Sequence, residues 1–274
     1  MIAGAESINQ PSGPVLSIGE FSLFRDFIYR KAGIRLTEAK ISLVQNRLQR
    51  RLTALGLATY QSYFARVEAP GSDECQICVE ALTTNETYFF RHKEHWDFFI
   101  GQILGRWPRE RRLKVWSAAA STGEEAYSTA IACLEHLGPQ AAVSIEATDI
   151  NQRVLDVAKR GIYSDYAVQK LTDYGRTRWF TRDEHGWRVA QTPRTLVNFH
   201  THNLLEAGHG PEVDVVFLRN VLIYFDDASK LQAVRQVANR MATGAWLFLG
   251  GSETLPTGFS DFRLIRPQIF QKVA

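Results

Sequence analysis

An α/β fold, with a mostly parallel sheet covered by helices on both faces and a small all-helical domain ahead of it, is predicted by three observations. From Leu113 onward, short apolar runs alternate with helical patterns, which is the grammar of strand–helix–strand crossovers. Residues 19–82 carry apolar positions at helical spacing and no strand-like run. The first apolar run ends in a loop of small residues, where open α/β sheets bind ligands.

The elements follow in order. Residues 1–18 read as a flexible leader rich in Ser, Gly and Pro. Phe21, Phe24, Phe27 and Ile28 recur at helical spacing in a first helix. Thr37 is a plausible N-cap for a second, in which Ile41, Val44, Leu48, Leu52 and Leu55 form one apolar stripe and Gly56 ends it. A third short helix begins at Thr59 and runs to Val67. Residues 69–73, Ala-Pro-Gly-Ser-Asp, are a turn signal, and a fourth helix is expected over Glu74–Leu82. Residues 83–109 are a connecting segment with a helix from Lys93 to about Leu104. Residues 110–274 then form the α/β domain. Its strands are expected at Leu113–Ala119, Ala142–Thr148, Leu196–Phe199, Val213–Phe217, Trp246–Leu249 and within Phe262–Phe270. Its helices are expected at Glu124–Leu137, Gln152–Arg160, about Leu171–Phe180 and Ala228–Met241. A small antiparallel hairpin subdomain, about residues 179–200, turns near Asp183–Gly186.

Composition bounds the function. The 274 residues are 45% hydrophobic and 22% charged, an ordinary globular balance. No apolar run is long enough for a membrane span. The opening residues lack a basic start followed by an apolar stretch, so a cytoplasmic protein is expected. Three cysteines, Cys75, Cys78 and Cys133, make no disulfide framework, and Cys75 and Cys78 read as packed thiols. The net charge of +3 does not by itself argue for nucleic acid. His92 with His95, and His200 with His202, lack a third ligand at metal spacing, so no metal is expected.

The chemistry concentrates in two loops. Ser117-Ala-Ala-Ala-Ser-Thr-Gly123 follows the first strand and lets the backbone approach a ligand. It lacks the G-x-G-x-x-G of a dinucleotide loop. Glu124 and Glu125 open the next helix, either to hold a cationic ligand group or simply to complement the helix dipole. Asp149, directly after the second apolar run, can accept hydrogen bonds from both ribose hydroxyls of a nucleoside or can cap the next helix. The pair of loops favours an adenosine-containing cofactor. The acidic, glycine-poor first loop favours S-adenosylmethionine over NAD.

Five strings then resemble, in order, the chemotaxis receptor methyltransferases of the CheR family. They are Thr83-Thr-Asn-Glu-Thr-Tyr-Phe-Phe-Arg91, Trp116 to Tyr127, Ala147-Thr-Asp-Ile-Asn151, Phe217-Leu-Arg-Asn-Val-Leu-Ile-Tyr-Phe-Asp226 and Leu247-Phe-Leu-Gly-Gly-Ser-Glu253. The resemblance implies a Rossmann-like class I methyltransferase sheet. It implies transfer of the S-adenosylmethionine methyl group to glutamate side chains of chemoreceptors, with S-adenosylhomocysteine as product. It places Asn85, Thr87 and Arg91 beside the cofactor, Glu125 near its methionine part and Asp149 on the ribose. Asn203 and Leu204 would bracket the adenine, and Asn220 and Val221 would contact the methionine end. Arg91 and Tyr224 would lie near the transferred methyl and the acceptor carboxylate. Gly123 would belong to the cofactor loop.

Two departures from the family pattern stand out. Ala126 replaces a frequent proline, and Gly251 replaces a frequent histidine, whose role therefore does not carry over. The expected partners are the cytoplasmic helices of chemoreceptors, with no nucleic acid and no membrane insertion, and the protein is expected to be a monomer. Lys40, Arg47, Arg50 and Arg51 form a basic face that either docks an acidic receptor helix or is an ordinary solvated face. The short hairpin turn resembles that of members that need no receptor tether.

Overall fold

The computed structural model describes residues 13–208 and 210–273; most of the expected leader, residues 1–12, lies outside that range. The chain divides into two compact units. One runs up to Lys31 and again over Leu36–Leu82; the other takes Ala32–Arg35 and everything from Thr83.

The first unit holds helices α1 (Ile18–Ala32), α2 (Ile41–Leu55), α3 (Tyr60–Val67) and α4 (Glu74–Leu82). The apolar stripe of α2 is buried through Val44, Leu48 and Leu52. Phe24 packs edge-on against Tyr60 and Phe64 and stacks on Tyr63. Thr59 caps α3 by accepting from the Ser62 amide, and Gly56 closes α2 in the left-handed conformation. Thr37 stands at the start of a 3₁₀ turn over Glu38–Lys40 and makes no side-chain cap bond, so α2 itself begins later, at Ile41. Cys78 is buried, which raises its thiol pKa and leaves it inert.

The second unit begins with the connecting segment and α5 (Lys93–Phe98). The helix expected to reach Leu104 is α-helical only to Phe98. It continues as a π turn over Phe99–Ile103 and a 3₁₀ turn over Leu104–Arg106. Gly101 and Gly105 fall in this stretch and weaken the regular ladder. Then follow β1 (Leu113–Ser117), α6 (Glu124–Leu137), β2 (Val143–Asp149), α7 (Gln152–Arg160), β3 (Ile162–Tyr163), α8 (Asp165–Val168) and α9 (Asp173–Trp179). The chain continues through β4 (Phe180–Asp183), β5 (Gly186–Val189), α10 (Gln191–Thr195), β6 (Val197–Thr201) and β7 (Val213–Leu218). It ends with α11 (Asp227–Asn239), β8 (Met241–Leu249), β9 (Phe262–Arg266) and β10 (Ile269–Lys272).

The large sheet has the order β6-β2-β1-β7-β8-β10-β9. The strands from β6 through β8 are parallel, and β10 is antiparallel to both its neighbours. The chain leaves β1 toward β2 and β6 on one side, then returns to place β7 on the other. The switch point therefore lies at the carboxyl end of β1. β7 is buried at every position, as a central parallel strand should be.

The expected hairpin is β4–β5, but it is part of a three-stranded antiparallel sheet completed by β3. A two-residue strand has no period to read, which is why β3 was missing from the sequence expectation. Met241, expected as the end of a helix, instead starts β8.

Arg240 ties the end of α11 to β2. It is 5% exposed, donates to both oxygens of Glu146 at 2.9 and 2.7 Å, and lies over the Trp116 ring. The Glu146 side chain is 20% exposed and also meets His200 at 3.1 Å, so losing Arg240 does not strand a fully buried charge. Arg240→Ala should therefore cost about 1–3 kcal/mol, read as a lower urea midpoint at unchanged slope.

Candidate active site

The segments that build the site all belong to the second unit. They are residues 83–92 and the loops after β1, β2, β6, β7 and β8. The connecting segment is fixed from both sides. The Phe89 ring packs edge-on against Tyr163 and Phe180, and the Phe89 and Phe90 amides donate to the Ala167 carbonyl and the Ser128 hydroxyl. Phe90 and His92 adopt positive φ, 54° and 64°, so the chain turns sharply around Arg91.

The loop after β1 is tied to both neighbouring strands. The Ala118 amide donates to the Phe217 carbonyl at 2.9 Å, and the Ala120 amide to the Thr148 carbonyl at 2.8 Å. Gly123, expected to make room for a ligand, has another reason for being glycine. Its φ is +93°, and a Cβ there would stand 2.7 Å from the Ala158 Cβ and 3.0 Å from the Tyr163 hydroxyl. The missing side chain faces the interior of the domain.

Asp149 sits at the end of β2 and is 8% exposed. One carboxylate oxygen accepts from the Ser121 amide at 2.9 Å and the other from the Asn151 amide at 3.0 Å. Burial raises its pKa, and these amides oppose the rise. It does not cap α7. Asn151 does, its side-chain oxygen accepting from the Arg153 and Val154 amides while its side-chain nitrogen donates to the Thr83 hydroxyl at 2.9 Å. The Ile150 amide also acts on the Asp149 carboxylate, and Asp149 still has acceptor capacity beyond the Ser121, Asn151 and Ile150 amides, which fits a ribose hydroxyl.

Glu125 is committed within the protein. Its oxygens take the Ser117 hydroxyl at 2.6 Å and the Arg219 guanidinium at 3.0 Å. Burial raises the Glu125 carboxyl and lowers the Arg219 guanidinium, and their contact opposes both shifts. Arg219 also donates to the Arg91 carbonyl. It therefore joins the end of β7, the start of α6 and the connecting segment. Sequence reading assigned Arg219 no role, although a charged residue directly after the apolar run at residues 215–218 is a usable signal.

The remaining candidates fall on three segments. Arg91 donates to the Glu86 carbonyl at 2.7 Å and leans toward the Tyr88 ring. The Asn85 side chain reaches Thr83, and its carbonyl accepts from the Ser121 hydroxyl at 3.4 Å. Thr87 is half-buried in the same segment. Asn203 closes an Asx turn onto the Leu205 amide at 3.1 Å, and Leu204 is buried beside it. Asn220 has φ +60°. Val221 follows it, and Tyr224 is half-buried at the end of a 3₁₀ turn, its carbonyl accepting from the Arg35 amide. His95 is buried against Phe248, and burial lowers its pKa to about 4.

The basic face in the helical unit is less uniform than its spacing suggests. Arg51 is paired with Glu74, its Nε 2.8 Å from a carboxylate oxygen, and Arg47 donates to the Leu82 carbonyl at 2.9 Å. Both tie α2 to α4. Lys40 and Arg50 are exposed. Among the described residues no group of three or more His, Cys, Asp or Glu side chains could hold a metal ion, and no helix is long and apolar enough to cross a membrane.

Glu124 is buried at the start of α6, which raises its pKa to about 6 from an ordinary 4.5. The native carboxyl holds its proton more tightly than the unfolded one. Its stabilising contribution is complete below pH 4.5 and disappears as pH rises through about 6. Glu124→Gln should therefore be more stable than the parent by about 2 kcal/mol above pH 7, with the difference vanishing under acid conditions. Denaturant titrations across that pH range check this.

Comparison with known proteins gives the arrangement its lineage. Residues 19–83 match the model of the CheR methyltransferase all-alpha domain, and residues 85–270 that of the CheR methyltransferase SAM binding domain. The chain is similar to a chemotaxis protein methyltransferase of Klebsiella aerogenes, 40% identical over 91% of this chain and 88% of that one. It is similar to chemotaxis protein methyltransferase 2 of Pseudomonas aeruginosa, 39% identical over 85% of this chain and 86% of the relative. The Escherichia coli chemotaxis protein methyltransferase is 37% identical over 87% of this chain and 85% of that one. With both domain models matched in order, this chain belongs to the CheR methyltransferase family, and its sheet domain binds S-adenosylmethionine.

Proposed function

We propose that this protein transfers the methyl group of S-adenosylmethionine to glutamate side chains of chemoreceptors, in the adaptation step of chemotaxis signalling. The observation that carries this reading is the convergence, within one unit, of an amide-held carboxylate at the end of β2 with two conformationally strained segments around Arg91 and Asn220. That is the place where a cofactor lies in an open α/β sheet.

In this reading Asp149 takes the ribose hydroxyls, Asn203 and Leu204 flank the adenine, and Asn220 and Val221 meet the methionine end. Asn85, Thr87 and Gly123 shape the surrounding loops, and Glu125 contributes its remaining acceptor sites. S-adenosylmethionine supplies a methyl on a sulfonium that departs as a neutral thioether. The acceptor glutamate has an ordinary pKa of about 4.3 and is ionised at neutral pH, so the protein need not remove a proton. Its work is alignment. Tyr224 and Arg91 hold the carboxylate so that oxygen, carbon and sulfur stand in line.

Opposite charges cancel as the methyl moves, so a cation gripping the carboxylate hard would favour the ground state. Arg91 donates to a backbone carbonyl and is half-exposed. It is suited to orienting the acceptor more than to neutralising it. Excluding water favours the less charged transition state.

Lys40 and Arg50, with Arg47 and Arg51 behind them, supply the positive face for a glutamate-rich receptor helix. The enzyme acts in the cytoplasm as a monomer, without a receptor tether.

The test is incubation with methyl-labelled S-adenosylmethionine and a chemoreceptor cytoplasmic fragment, followed by mild base. Base-labile label on the receptor, lost when its methylation-site glutamates become alanine, is the expected result. Cofactor binding with no transfer to several receptors would point instead to a non-enzymatic regulator or another acceptor. Charge reversal by Lys40→Glu and Arg50→Glu should raise the KM for receptor about tenfold at low salt, an effect that weakens as salt is added. Cofactor affinity should be unchanged, and an unchanged KM would remove the docking face from the reading.

A further inference from the structure

We propose that Glu253 is the positioning residue that holds the Asn220–Tyr224 loop in its working shape; this rests on the reading that Asn220, Val221 and Tyr224 serve the methyl-transfer site. Glu253 is 4% exposed. A buried carboxylate is costly unless donors replace the lost water. Here the donors are backbone amides from two separate loops. One oxygen accepts from Asn220 at 2.8 Å and Gly250 at 2.5 Å, and the other accepts from Ile223 at 3.3 Å. The side chain thus joins the loop after β7 to the loop after β8.

Three features indicate that the clamp sets the shape of the loop as well as filling a hole. Asn220 has φ +60°, a conformation that a non-glycine residue holds only when its surroundings fix it. Its amide is one of the three that Glu253 accepts from. Gly250 leaves the room for this contact. A Cβ there would lie 2.6 Å from a Glu253 oxygen, 2.8 Å from the Asn220 amide nitrogen and 2.8 Å from its side-chain nitrogen. Finally, the clamped stretch contains only one 3₁₀ turn, Leu222–Tyr224, and the Ile223 amide in that turn is held by the same carboxylate. Loss of the carboxylate frees the turn and the strained residue together.

The variants are Glu253→Gln and Glu253→Asp. Glutamine keeps the volume but turns one acceptor into a donor facing an amide. Aspartate keeps the charge but shortens the reach by one methylene. Three readouts apply to the full chain: S-adenosylhomocysteine affinity by calorimetry, KM and kcat with a receptor fragment, and amide hydrogen exchange at Asn220, Ile223 and Gly250.

For Glu253→Gln the expected result is a loss of about 10- to 100-fold in S-adenosylhomocysteine affinity, the range for losing hydrogen bonds to a charged group. Faster exchange at the three amides and a lower kcat should accompany it. Glu253→Asp should recover part of the affinity. A lower melting temperature with cofactor affinity and kcat unchanged, measured well below that temperature, would overturn the proposal and leave Glu253 a packing residue. If the parent protein binds S-adenosylhomocysteine but methylates no receptor, the functional reading fails, while the affinity and exchange arms still decide the clamp.

Discussion

The buried contact between Arg219 and Glu125 is the constraint on which the site depends. Arg219 emerges from β7, whose six residues are all buried, and is itself 6% exposed. A guanidinium in that place must find acceptors without bulk water. It finds the Glu125 carboxylate at the start of α6 and the Arg91 carbonyl in the connecting segment. Three pieces of chain far apart in sequence are thereby held at one end of the sheet. The contact is weak grounds for arguing stability, because desolvating both charges offsets much of their attraction. Its value lies in geometry, since it fixes the start of α6 and the connecting segment against the end of β7.

Around that contact the backbone carries strain. Among the described residues, five non-glycine positions have positive φ: Phe90, His92, Ser121, Asn220 and Gln268. All but Gln268 lie on the loops of the candidate site. Each such conformation costs on the order of 1–3 kcal/mol and persists only where neighbours over-determine it. The neighbours here can be named. Phe89 and the Phe90 amide anchor the turn around Arg91, the Asp149 carboxylate holds the Ser121 amide, and the Glu253 carboxylate holds the Asn220 amide. Buried carboxylates thus stabilise two of the strained loops by accepting backbone donors that have no place in a sheet ladder.

Much of this arrangement was legible in the sequence. The alternation of apolar runs with helical patterns gave the sheet. The position of Asp149 after an apolar run located the loop where the ribose ligand is proposed, and Gly123 was placed in the loop that approaches a ligand. The reasons were only partly legible. Gly123 is glycine because Ala158 and Tyr163 crowd it, and those neighbours are set by packing far along the chain. Arg219 and Glu125 are 94 residues apart, and Asn220 and Glu253 are 33 apart. No local period or turn rule relates such pairs. The same limit explains the basic face on α2. Helical spacing put Arg47 and Arg51 together but did not reveal that Leu82 and Glu74 would engage them.

The charges in the site also differ in how far they are already spent, and this bears on the proposed chemistry. Arg219 faces Glu125 in a nearly water-free setting, Asp149 and Glu253 are held by neutral amides, and Arg91 is engaged by a neutral carbonyl. An amide-held carboxylate has acceptor sites occupied without drawing a cation into the site. A carbonyl-held guanidinium keeps most of its field for whatever anion approaches. An incoming glutamate would therefore meet Arg91 on a strained and well-anchored turn. Arg219, which is buried, is already committed to Glu125. Because the reaction consumes opposite charges, that balance is the useful one: enough positive potential to orient the acceptor, and too little to hold it back from the methyl group.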